Sequence, residues 1–151
     1  MELSPGGLLL AVAVLAPQLL LVVRRPRTPV PQVRVAGPLV AIERLGQALC
    51  LVLPAVSASA GSLGASLLAV MLPLVAYYGL WGRYVLKGRD VADLYAPIAG
   101  VPVPMALLPV GVFLAAAFWL ADPWVALGAC VLAVGHVPVS LIVARAVRTA
   151  S

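Results

Sequence analysis

Charged residues almost never occur inside the long apolar stretches of this chain. Five runs of mainly apolar residues occupy about 6–23, 38–57, 63–84, 103–121 and 124–147, and most Lys, Arg, Asp and Glu fall between them. A helix needs about 20 such residues to cross a hydrocarbon core of about 30 Å. The composition agrees. The 151 residues are 64% hydrophobic and 10% charged, with a mean hydropathy of +1.13. Soluble domains are about half apolar and about a quarter charged. A soluble enzyme, a nucleic-acid-binding domain and a disordered chain are excluded on these grounds. The expectation is an all-α integral membrane protein. Residues 1–151 form one transmembrane domain, a five-helix bundle.

The basic residues set the expected orientation. Ten Lys/Arg against five Asp/Glu give a net charge of +5. Arg24, Arg25, Arg27 and Arg34 lie between the first two runs, Arg83, Lys87 and Arg89 close the third, and Arg145 and Arg148 close the last. This is the positive-inside pattern rather than a nucleic-acid footprint. It places the N-terminus outside and the C-terminus in the cytoplasm of a multi-pass cell-membrane protein, expected in the bacterial inner membrane. Glu2 and Asp122 are then the external ionisable side chains. The first residues carry Glu2 and no cation, so the first run reads as a retained helix, not a signal peptide. The short links at 58–62 and 122–123 require antiparallel hairpins.

Each run contains a proline within it: Pro17, Pro54, Pro73, Pro109 and Pro138. Proline removes a backbone hydrogen bond and kinks helices, and several kinks together open space in a small bundle. The basic, proline-rich link 24–37 reads as extended chain near anionic headgroups. Residues 90–104 are apolar with three prolines, and read as an interfacial or re-entrant cover over the cytoplasmic mouth. Cys50 and Cys130 form no C-x-x-C and read as small buried hydrophobes. No metal site or cofactor is expected.

Polar groups inside the runs are the functional candidates. Glu43 shares a helical face with Gln47, Cys50, Pro54 and Ser57. Either it pairs with an arginine to fix the bundle, or it is a proton donor in an apolar site. Arg44 points elsewhere and anchors at the interface. Tyr77, Trp81 and Tyr84 form an aromatic face with Tyr78 beside it, as an interfacial belt or as a pocket wall near Glu43. Arg83, Arg89, Asp90 and Asp93 form either solvated ion pairs or a dock for a phosphate or carboxylate. His136, the single histidine, has Ser140 one turn on. It makes one interhelical hydrogen bond or transfers a proton, for which it must reach Glu43 or a substrate.

The stretches E43-R-L-G-Q-A-L-C-L-V-L-P54, Y77-Y-G-L-W-G-R-Y84 with G88-R-D, Y95-A-P-I-A-G-V-P-V-P-M105 and G135-H136 resemble small, largely uncharacterised bacterial integral-membrane proteins. There is also similarity to the small integral-membrane terpene cyclases of terpenoid biosynthesis. That resemblance implies an acidic residue that protonates an alkene or epoxide, here Glu43, with His136 or Tyr78 accepting the last proton. Gln47, Tyr77, Trp81, Tyr84, Arg83, Arg89, Asp90, Asp93 and Tyr95 would then bind a hydrophobic prenylated or lipid substrate. The translocator/tryptophan-rich sensory proteins share the size, but their Trp-Pro-rich signatures are missing. The alternative is a non-enzymatic lipid-binding, transport or assembly subunit. It would act as an oligomer, packed through a face carrying Gly61, Ala65 and Ala69.

Overall fold

A computed structural model describes residues 3–58, 61 and 63–150. Glu2, and residues 59, 60 and 62 of the first hairpin link, lie outside the described residues. The elements are α1 (Pro5–Val23), α2 (Gly37–Ala55), α3 (Ala65–Leu86), α4 (Val91–Tyr95), α5 (Pro104–Trp119) and α6 (Pro123–Ala150). There is no strand among the described residues, and a single antiparallel bridge joins Ile98 to Val101. Four helices, α1, α2, α3 and α6, are long and apolar enough to cross a membrane. Helix α5 has 16 residues, about 24 Å at 1.5 Å per residue.

Proline and small polar side chains start the helices. Pro5, Pro38, Pro104 and Pro123 occupy opening positions, where a missing N–H costs nothing. The Ser4 hydroxyl accepts the Gly7 N–H at 3.3 Å, and Asp122 Oδ1 accepts the Trp124 N–H at 2.9 Å. Many large apolar side chains point outward, among them Leu9, Leu72 and Phe118. They would burden a soluble protein and suit contact with lipid. Cys50 is buried, but Cys130 is exposed on the outer face of α6, contrary to expectation.

The hydrophobic effect does not hold helices together in lipid, so close backbone packing must. Helices α2 and α6 run antiparallel in the most extensive contact of the bundle. Glycines make it possible. A Cβ on Gly46 would strike the backbone of Val131 and Leu132, and one on Gly135 would lie 2.5 Å from Glu43 Cα. Helix α5 packs between α3 and α6, and α1 lies along α2. Helix α1 meets α3 and α5 only marginally, which leaves a space that these helices surround. The alternating directions gather all ten Lys/Arg at one end of the bundle, here termed the basic end.

Two tyrosines clip α1 to α3. Pro17 has no N–H, so the carbonyl of Ala13 loses its helical partner. The Tyr78 hydroxyl donates to that carbonyl at 2.8 Å. Tyr84, fully buried, donates to the Arg24 carbonyl at the end of α1, at 3.2 Å. At the basic end the link after α1 is tied to α4. Asp90 Oδ1 accepts the Thr28 hydroxyl and the Ala92 N–H, both at 3.0 Å, and Thr28 accepts the Val91 N–H. The Ala92 N–H first, and then Thr28, hold the exposed Asp90 carboxyl below its ordinary pKa.

Candidate functional site

The glycine-mediated crossing of α2 and α6 brings Glu43 and His136 together. Glu43 Oε1 lies 2.6 Å from His136 Nδ1, although 93 residues separate them in sequence. Their side chains are 15% and 20% exposed. One proton serves this contact. It is either an Nδ1–H donating to a carboxylate or a carboxylic O–H donating to the ring nitrogen. With the first arrangement the carboxylate fixes the ring, and Nε2 becomes the nitrogen free for other work. The sequence leaves Glu43 with an arginine partner, with none, or within reach of His136. The structure supplies a histidine.

Two small chambers flank the pair. The first, about 100 Å³, lies among α1, α2, α5 and α6. Its walls are mainly apolar and include Val14, Cys50, Pro109 and Phe113, with Gln47 at the exposed edge. The second, about 190 Å³, lies nearer the basic end. Tyr77, Trp81, Tyr95, Met105 and Ser140 contribute to its lining. Gln18 and His136 line both chambers. Glu43 lines neither, so it stands behind the imidazole. The imidazole is therefore the group presented to the cavity.

The aromatic wall is ordered by edge-to-face contacts. Ring centroids lie 6.2 Å apart for Tyr77–Trp81 and 5.8 Å for Trp81–Tyr84, at interplanar angles of 90° and 88°, a favourable arrangement. The Tyr77 hydroxyl lies near both the Gln18 side chain and the Trp81 indole. Trp81 is 5% exposed, and its indole N–H makes no hydrogen bond, the Tyr77 hydroxyl lying near it but outside hydrogen-bond geometry. Tyr95, on the short α4, approaches Glu43. Burial first, and the Glu43 carboxylate second, push its phenol above the ordinary tyrosine value.

The sequence-expected site thus divides. Glu43, His136, Gln47, Tyr77, Trp81 and Tyr95 gather around the cavity. Tyr78 does not. It is 44% exposed, and its hydroxyl is committed to the Ala13 carbonyl. Tyr84 supports Trp81 from behind, with its hydroxyl committed to Arg24. Arg83 Nη2 donates to the Asp93 carbonyl at 3.3 Å. Arg89 sits in a left-handed turn at φ 65°, where its N–H and C=O bond to Tyr84 and Arg27. Asp90 caps α4 and holds Thr28. None of these four charged residues lines either chamber. Sequence reasoning missed Gln18. The available signal was a lone amide in a wholly apolar run, beside a proline.

No group of three or more His, Cys, Asp or Glu side chains suited to a metal occurs among the described residues. Comparison with protein-family models, curated proteins and solved structures finds no match, so the chemical reading of this chain rests on its own residues.

Proposed function

We propose that this chain is a cofactor-independent acid–base enzyme of the bacterial inner membrane that cyclises a lipid-soluble, prenylated substrate. It crosses the membrane five times, with its N-terminus outside and its C-terminus cytoplasmic. The fifth crossing is α5, and its shortness is made up by flanking residues. The observation that carries the reading is a Glu43–His136 pair whose imidazole lines two apolar chambers.

The roles follow from which group touches the cavity. His136 is the catalytic acid. When the ring carries both N–H groups, Nδ1–H is held by Glu43 and Nε2–H serves the substrate. Glu43 is a positioning residue that stabilises the imidazolium away from water. Proton transfer to an epoxide or carbonyl oxygen suits an imidazolium better than transfer to a bare alkene. Opening of the protonated group starts ring closure, and the carbon–carbon π electrons form the new bond. The resulting carbocation lies beside the faces of Tyr77 and Trp81. The neutral Nε2 takes back a proton from carbon, which closes the cycle with no net gain or loss of atoms. Substrate enters from the membrane beside Gln47, between α1 and α2.

The test is product formation in membranes supplied with prenylated epoxides. Glu43→Gln keeps the side chain's shape and removes the carboxylate. It should lower turnover at least about 100-fold, the lower range for general acid–base catalysis, with folding retained. Turnover equal to that of the unaltered protein would overturn the assignment.

A further inference from the structure

The cavity wall carries a donor that the proposed chemistry does not use. Trp81 is 95% buried on the second chamber's wall, and its indole N–H makes no hydrogen bond, the nearby Tyr77 hydroxyl lying outside hydrogen-bond geometry. A buried donor without a partner is costly, and natural structures leave few of them. An indole N–H donates and cannot accept. The group that completes it must therefore bring an acceptor atom. No Lys or Arg lines the chamber among the described residues, and the charge that His136 can carry is already matched by Glu43, so nothing there balances a phosphate or carboxylate. The acceptor is then an uncharged oxygen. The Tyr77 hydroxyl and the Gln18 amide lie close by but are partnered with each other, which leaves the indole N–H as the donor for the ligand.

We propose that the second chamber recognises the uncharged carbonyl oxygen of a lipid-soluble ring compound, with Trp81 Nε1–H as its donor, while the apolar tail leaves through the first chamber. Gln18 and His136 line both chambers and mark the passage between them. The inference rests on reading the cavity as a ligand site, and does not depend on cyclisation.

The full-length protein in phosphatidylcholine nanodiscs provides the test, with 2-decyl-1,4-benzoquinone and decylbenzene as probes. The two share a tail and a six-membered ring, and only the quinone carries acceptors. Retention is measured against empty nanodiscs. One neutral hydrogen bond corresponds to roughly a 3- to 10-fold preference for the quinone. Trp81→Phe keeps a ring against Tyr77 and Tyr84 and removes the N–H, so the preference should fall to about 1. A preference that survives Trp81→Phe, or no preference in the unaltered protein, overturns the inference. Should Trp81→Phe fail to fold, the indole N–H signals of the ¹⁵N-tryptophan-labelled protein decide. One of them must move with the quinone and stay still with decylbenzene, and otherwise the inference fails. No turnover is read, so a failed Glu43→Gln experiment leaves this result standing.

Discussion

Replacing Gly135 by alanine tests whether helix packing holds the Glu43–His136 pair. An added Cβ would lie 2.5 Å from Glu43 Cα and 2.9 Å from Glu43 Cβ, whereas ordinary contact begins at 3.4 Å. Backbone cannot swing aside as a side-chain tip can, so α2 and α6 must part. Raising 2.5 Å to 3.4 Å needs about 0.9 Å of separation, and adding that to the 2.6 Å pair leaves about 3.5 Å, beyond a sound hydrogen bond. Overpacking costs about 1–3 kcal/mol, and an intramembrane hydrogen bond contributes about 0.6 kcal/mol on average. The better helix propensity of alanine offsets up to about 1 kcal/mol. The net loss is about 1–3 kcal/mol. Gly82→Ala is the control, because a Cβ there meets nothing within 4 Å. Equilibrium unfolding in mixed detergent micelles measures both variants. If Gly135→Ala proves as stable as Gly82→Ala, the close crossing does not exist and the site built on it fails.

Other perturbations separate supporting residues from working ones. Tyr78→Phe should cost about 0.6 kcal/mol, and at most about 1.7, in the same unfolding assay. It should leave turnover unchanged, because its hydroxyl serves only the carbonyl freed by Pro17. Tyr95 should form phenolate above the ordinary tyrosine range when ultraviolet absorbance is followed against pH, with Tyr95→Phe identifying its contribution. Because its folded pKa is raised, its contribution to stability is intact below the unfolded tyrosine value, about 10. That contribution declines as pH climbs from there toward the folded value. Glu43→Gln should bring the Tyr95 titration part of the way down, since burial is the larger cause. No change on Glu43→Gln would separate the two side chains.

The apolar runs made the helices legible, because lipid demands length and hydropathy before anything else. Expected ends at 6–23, 38–57 and 124–147 lie near the observed α1, α2 and α6. The expected run at 103–121 shortens to Pro104–Trp119, where the chain turns through Ala121 at φ 50°. Glu43 and His136 stood out as costly polar groups, but their pairing did not, since spacing along one helix says nothing about its neighbour. Gly46, Gly128 and Gly135 were the signal that could have joined them, as small residues at helical intervals on two spans. Tyr78 and Tyr84 look like pocket aromatics in sequence. Their true partners are backbone carbonyls, and only the break at Pro17 and the end of α1 explain why those carbonyls were available.

The single histidine makes the central claim directly measurable. In ¹⁵N-histidine-labelled protein held in nanodiscs, two-dimensional ¹⁵N–¹H spectra report the state of each ring nitrogen of His136 without assignment ambiguity. A carboxylate-bound Nδ1 proton, far downfield and protected from solvent exchange, is the expected signal, and Glu43→Gln should remove it. A rapidly exchanging imidazole that is the same in both proteins would contradict the pair, and with it the acid–base site.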